Sequence, residues 1–136
     1  MNSHVAVRAA LDALVGRPQH LPPTLVQRWP QLAGANVRRG GLPPRIAGWC
    51  LGRPSVTAVT LWRTIWVAPA APLTPGLLLH ELRHVHQFQG GVTFPWAYLW
   101  ETVRRGYHDN RFEADARTYA DKCLRAPATA SGRGEV

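Results

Sequence analysis

Apolar residues follow strand-like spacing and then helix-like spacing through the middle of the chain. Residues 56–67 are rich in β-branched and aromatic side chains, which predicts strand structure with a tight hairpin near Arg63. Helical spacing then predicts a helix over residues 77–89. Thr74 is suited to cap this helix, and Pro75 is suited to its first position.

Two further helices are predicted toward the C-terminus. The first covers residues 96–105, and the second covers residues 111–124. Asn110 or Asp109 can cap the second helix, because both side chains can accept a hydrogen bond from the first turn. The small and polar residues of 126–136 predict a flexible tail.

The N-terminal part predicts short elements separated by Pro and Gly. Ser3 can cap a first helix that Gly16 ends, and its apolar positions fall mostly on one face, so this helix should pack on the body. The other expected elements are a short helix opened by Pro22 and stopped near Pro30, a strand over 35–39 and a helix over 43–51. This mixture of elements predicts an α+β fold.

Length and charge limit the number of domains and the class of partner. The 136 residues suit a single domain over 1–125, with a basic helical part over 1–55 and a core over 56–125. The net charge is +8, and no acidic residue occurs between Asp12 and Glu81. An acidic protein partner for this basic part stays open, whereas no groove-reading element supports nucleic-acid binding.

Cysteine usage and hydropathy give no sign of a secreted or membrane-inserted protein. Cys50 and Cys123 share no CxxC spacing and are expected to be buried thiols. The first helical segment carries Arg8 and Asp12, unlike a secretory signal. No run approaches the roughly 20 apolar residues of a membrane span. A cytoplasmic protein is therefore expected.

The segment His80-Glu81-Leu82-Arg83-His84 carries the clearest chemical signal. On a helix, His80 and His84 lie one turn apart on the same face, so both imidazoles can reach one zinc ion. Glu81 lies about 100° further around the helix, where it can take a proton from water as a general base. A catalytic zinc site also needs a third protein ligand.

Residues 106–116 supply the candidates for this third ligand. Glu113 is the first choice, because it falls in the first turn of a helix that can cross the motif helix. Asp115 and His108 are the alternatives. His86 has the wrong spacing for a ligand and points to another face of the motif helix.

From residue 64 to residue 120 the chain resembles the minimal gluzincins, compact zinc metallopeptidase-like domains of bacteria. Their pattern is a strand, an HExxH helix with a Val/Gln-bearing continuation, an aromatic spacer and a Gly-Tyr-x-x-Asn-x-x-Glu-x-(Glu/Asp)-Ala segment. In this chain the four parts are Ile65-Trp66-Val67, residues 80–87, Tyr98 and residues 106–116.

The resemblance implies a zinc metalloendopeptidase. His80, His84 and Glu113 would bind Zn2+, and Glu81 would assist the attack of zinc-bound water on a peptide bond. A small hairpin or sheet would pack on the HExxH helix, and a crossing C-terminal helix would give the third ligand. Strand 64–67 would form an edge to which an extended polypeptide substrate adds. The alternative is a zinc-binding module with a structural or protein-interaction role and no proteolysis.

Two roles stay open within this pattern. Thermolysin-like gluzincins place a carboxylate four residues after the third ligand to orient the first histidine, and here that position is Arg117. Asp109 or a backbone carbonyl can serve instead, so the partner of the zinc histidines is unassigned. Tyr107 and His108 are candidates to donate a hydrogen bond to the oxyanion, and Tyr107 can equally be a packing aromatic.

Overall fold

The computed structural model describes residues 3–53 and 56–127, and from residue 128 onward the expected tail lies outside the described residues. Helices and strands combine into an α+β fold, as expected. The elements are α1 (Ser3–Val15), β1 (Arg17–Pro18), α2 (Pro23–Arg28), a 3-10 turn (Pro30–Leu32), β2 (Asn36–Arg39), α3 (Leu42–Cys50), β3 (Ala58–Leu61), β4 (Thr64–Val67), α4 (Pro75–Gln89), α5 (Phe94–Arg105) and α6 (Arg111–Arg125).

The four strands form one mixed sheet in the order β1-β2-β4-β3. β4 lies inside this sheet, because it pairs antiparallel with β3 and parallel with β2. The expectation that residues 64–67 form an edge is therefore wrong. The edge strand next to β4 is β3, and the hydroxyl of its Thr60 donates a hydrogen bond to Glu81 of α4.

The hydrophobic core lies between the sheet and α4. Ile65 and Val67 of β4 and Leu78 and Leu79 of α4 are fully buried. Burial of such side chains stabilises the fold by roughly 2 kcal/mol each. α4 also packs along α6. The helix that carries the HExxH motif is thus fixed by the sheet and by a second helix.

Local capping sets where the two site helices begin. Thr74 caps α4 through its side chain, and Pro75 occupies the first turn, as expected. Asn110 rather than Asp109 caps α6, and this places Glu113 in the first turn of that helix.

Two arginines of the basic N-terminal part stabilise the fold. Nη1 of Arg39 donates to the carbonyls of Ala68, Pro69 and Ala71, at 3.1, 3.1 and 2.8 Å. Arg38 donates to two carbonyls at the C-terminal end of α1. Because these guanidinium groups are engaged inside the molecule, they contribute less to a partner-binding surface than the sequence predicts.

Burial differs from expectation at α1 and at one cysteine. α1 contains no buried residue, although its apolar face predicts packing on the body. Val7 and Leu11 on this helix are 59% and 53% exposed. Cys123 is half-buried, but Cys50 is exposed, so the expectation of a buried thiol is wrong for Cys50. None of the described helices is long and apolar enough to cross a membrane.

Candidate metal centre

Three potential metal ligands meet where α4 packs on α6. His80 and His84 lie one turn apart on α4, and Glu113 projects from the first turn of α6. The two Nε2 atoms are 3.2 Å apart. The Glu113 carboxylate lies 3.0 Å from His80 Nε2 through Oε2 and 3.2 Å from His84 Nε2 through Oε1. The structure thus brings together the three residues that the sequence predicts as ligands.

The two Nε2 atoms and the Glu113 carboxylate form a triangle of groups whose spacing is close to that in a tetrahedral metal site. Ligand atoms about 2.0–2.1 Å from one zinc ion lie roughly 3.3 Å from each other in tetrahedral geometry. Here the two Nε2 atoms are 3.2 Å apart, and they lie 3.0 and 3.2 Å from different oxygens of the Glu113 carboxylate. The group could therefore hold a metal ion. Three protein donors would leave a fourth position free, as in catalytic zinc sites.

Glu113 is kept ionised although it is only 2% exposed. Burial alone would raise the pKa of Glu113, but hydrogen bonds with His80 and His84 and from Tyr98 lower it well below its usual range. The Tyr98 hydroxyl donates to Oε1 at 2.6 Å. A deprotonated carboxylate is the form that binds a metal ion.

His84 is oriented by an amide on its own helix. Oε1 of Gln87 lies 2.8 Å from His84 Nδ1. An amide oxygen can only accept, so Nδ1 carries the proton, and Nε2 presents its lone pair to the triangle when the ring is neutral. Burial would lower the pKa of His84, but the hydrogen bond and charge of Glu113, with the charge of Glu81, outweigh it and raise that pKa.

Glu81 lies beside the triad of His80, His84 and Glu113, and its side chain is buried, with 6% exposure. Its Oε2 accepts a hydrogen bond from the Thr60 hydroxyl at 2.7 Å. Burial raises the pKa of Glu81 in spite of the opposing effects of His84 and Thr60, and a raised pKa makes a carboxylate a stronger base. Within the described ranges, Oε1 of Glu81 accepts no hydrogen bond. It is not among the side-chain atoms that are completely buried without a partner, so solvent can reach it. This oxygen is therefore open to take a proton.

The two oxyanion candidates differ in their positions. Burial and the charges of Glu113 and Glu81 raise the pKa of Tyr107 to about 12, so its hydroxyl stays protonated close to both carboxylates. His108 is exposed and packs edge-on against the Tyr107 ring at 5.8 Å. Its ring makes no hydrogen bond to the triad in the part of the chain that the structure describes. Tyr107 is thus near enough to Glu113 and Glu81 for their charges to act on it, whereas the His108 ring does not contact the triad.

The other residues that the sequence suggested as ligands, or as partners of the histidines, lie outside the triad. Asp115 pairs with Arg83 at 2.7 Å. His86 packs edge-on against an aromatic ring of α6. Arg117 donates to the carbonyl of His108 and does not contact the histidines of α4. Glu113 is therefore the carboxylate that completes the group.

Sequence reasoning missed the site roles of Thr60, Gln87 and Tyr98. Gln87 and Tyr98 fall on named positions of the gluzincin pattern, so their spacing was a signal even though it did not show what they contact. Thr60 gave no signal, because it lies on β3, 21 residues before Glu81 in sequence.

The geometry supports a group that could hold a metal ion, with a buried carboxylate next to it. Comparisons with protein-family models, with curated proteins and with solved structures find no match for this chain.

Proposed function

We propose that this protein is a zinc-dependent metallopeptidase of the gluzincin type. His80, His84 and Glu113 bind the ion, and Glu81 is the general base. One observation carries the proposal: two imidazole nitrogens 3.2 Å apart, each 3.0–3.2 Å from one oxygen of the Glu113 carboxylate, lie beside a second buried carboxylate that has one oxygen open.

Zinc suits these donors because two imidazole nitrogens and one carboxylate are a known ligand set of catalytic zinc. Zinc held by His80, His84 and Glu113 would supply a Lewis acid for the scissile carbonyl and would lower the pKa of water to about 7. The low pKa of Glu113 keeps this carboxylate in its metal-binding form. The raised pKa of His84 favours a protonated ring in the metal-free protein, so His84 must release its Nε2 proton when it binds the ion.

The chain's own groups then handle the proton and the developing charge. Thr60 fixes one oxygen of Glu81, and the other oxygen receives the proton of the attacking water and delivers it to the leaving amine. The protonated hydroxyl of Tyr107 is suited to donate a hydrogen bond to the oxyanion.

The substrate in this proposal is an extended polypeptide. β3 is the edge of the sheet on the side of α4, and its Thr60 contacts the proposed base. An extended peptide that pairs with the outer main chain of β3 would therefore run past Glu81. The substrate strand is thus assigned to β3 instead of residues 64–67.

Metal analysis and peptidase assays of matched variants test this proposal. We expect about one zinc per wild-type chain, loss of zinc in His84→Ala, and zinc without turnover in Glu81→Gln when an unstructured protein is the substrate. His86→Ala is the matched control, because His86 lies on the same helix but faces Tyr119, and it should keep both zinc and turnover. A wild-type chain without zinc would contradict the metal site itself.

The alternative is a zinc-binding module with a structural or protein-interaction role and no proteolysis. The close burial of His84 and Glu113, 6% and 2% exposed, also suits an ion that only ties α4 to α6. Stoichiometric zinc with no cleavage of any member of a broad peptide library would favour this module over the peptidase.

A further inference from the structure

We propose that Gln87 is the positioning residue of the metal centre and does for His84 what a carboxylate does in related sites. This inference rests on the proposed metal site. Gln87 contacts His84 at Nδ1, so the Nε2 atom of His84 is left for the metal ion.

The orientation of the Gln87 amide follows from its partners. Nε2 of Gln87 donates to the Phe112 carbonyl at 3.0 Å and to Asp115 Oδ2 at 3.0 Å. Both partners can only accept a hydrogen bond, so the amide nitrogen must face them. The amide oxygen is then left for His84. A flipped amide would set its oxygen against two acceptors and its NH2 against the histidine.

A second set of contacts holds the amide in place. Arg83 Nε donates to Asp115 Oδ2 at 2.7 Å, and the Arg83 guanidinium lies over the ring of Tyr119 at 5.4 Å. A chain of contacts therefore runs from Arg83 through Asp115 and Gln87 to His84. It begins and ends on α4 and passes through α6.

This chain fixes two things that metal binding needs. It sets the tautomer of His84, so that the lone pair of Nε2 points into the triangle. It also ties the first turn of α6 to α4, since Phe112 directly precedes Glu113. Partners of this kind typically change metal affinity 10- to 100-fold when they are removed.

The first test replaces Gln87 by a side chain of similar length that accepts a hydrogen bond only weakly and cannot donate one. We expect Gln87→Met to weaken zinc binding about 10- to 100-fold, measured by competition with a chromophoric chelator. The visible absorption of the Co2+-loaded variant should also differ from that of the wild type, because His84 would be oriented differently. Gln89→Met, on the exposed end of α4, is the matched control and should bind zinc like the wild type.

The second test exchanges the polarity of the contact between positions 87 and 115. Gln87→Glu alone sets two carboxylates against each other at the 3.0 Å contact and should weaken zinc binding. Adding Asp115→Asn supplies an amide donor to the new carboxylate, which can still accept from His84. Because the Phe112 carbonyl still lacks its donor, the double variant should recover part of the lost affinity and not all of it. This comparison decides the matter even if Gln87→Met does not fold.

Two results would overturn the inference while the proposed function stands. One is wild-type zinc affinity in Gln87→Met, within threefold. The other is a double variant that binds zinc no better than Gln87→Glu. If the wild-type chain itself binds no zinc, the proposed metal site fails, and the positioning role fails with it.

Discussion

Asn110 links the start of α6 to α5, and its removal should be among the most damaging polar substitutions in the fold. The side chain is fully buried. Its oxygen accepts from the Phe112 N–H and so caps α6. Its nitrogen donates to the carbonyl of Tyr98 at 3.2 Å and to the Thr102 hydroxyl at 2.9 Å.

The expected loss of unfolding free energy is the sum of the contributions of the hydrogen bonds that Asn110 makes. Removing an asparagine cap costs about 1 kcal/mol. Each of the two hydrogen bonds from the nitrogen contributes about 1 kcal/mol. Asn110→Ala should therefore lower the free energy of unfolding by about 3 kcal/mol, equivalent to roughly 10 °C in Tm for a domain of this size. Asn110→Ser keeps a capping oxygen and should lose only about 2 kcal/mol.

Urea unfolding of the metal-free protein, followed by circular dichroism, measures both losses. Asn36→Ala is the matched control: Asn36 is an exposed asparagine that makes one side-chain hydrogen bond, to Thr64, and it should cost under about 1 kcal/mol. A loss for Asn110→Ala no larger than that of the control would refute this account. Equal losses for the Ala and Ser variants would refute the capping contribution alone.

Three other substitutions separate binding, catalysis and structure. Tyr98→Phe removes the donor to the proposed third ligand and should weaken zinc binding about tenfold in a chelator competition. Arg39→Met removes the Nε hydrogen bond to Gln19 and the two N–H groups that Nη1 shares among three carbonyls, and it should cost about 3 kcal/mol of unfolding free energy. Arg45→Met, on the exposed surface, should stay within about 0.5 kcal/mol. Thr60→Val should leave zinc affinity unchanged but lower peptidase turnover about tenfold or more, because Glu81 loses the hydroxyl that orients it. Equal zinc loss and turnover loss in this last variant would contradict the division of roles.

Features specified by neighbouring residues were predictable from the sequence. Thr74 and Pro75 start α4 where the pattern predicts, because a cap and a first-turn proline act within one turn. His80 and His84 share a face because helix geometry requires it. Even Glu113 was within reach, since the cap at Asn110 fixes where α6 begins.

Features specified by distant contacts were not predictable. β4 is an inner strand only because β2, some 28 residues earlier, pairs with it in parallel. Gln87 has its role only because Asp115, 28 residues later, holds its amide. The apolar pattern of α1 identified a face but could not show whether any element covers it. The sequence pattern of a segment shows which of its faces are apolar and which side chains could act in a site. Tertiary contacts determine which of those faces are buried and which side chains meet.

The burial of Glu81 bears on the choice between a peptidase and a zinc-binding module. A carboxylate that is 6% exposed and has one hydrogen-bond donor, Thr60, is poorly compensated for the water it has lost. A purely structural ion needs no such group, whereas active sites often keep groups that reduce stability. Glu81→Gln keeps the size of the side chain and the Thr60 contact but removes the charge. Metal-free Glu81→Gln should therefore be more stable than the wild type by about 1 kcal/mol.

Glu101 provides the contrast for this prediction, because it is equally buried but lies 3.5 Å from Arg105 and 3.8 Å from Arg111. Oε2 of Glu101 is buried without a hydrogen bond among the described residues, but the two arginines offset the negative charge, so Glu101→Gln should lower stability in the same urea titration. Glu81 would then be the buried acid whose charge lowers the stability of the metal-free protein. If Glu81→Gln is instead as destabilising as Glu101→Gln, the Glu81 carboxylate serves the fold, and the module gains support over the peptidase.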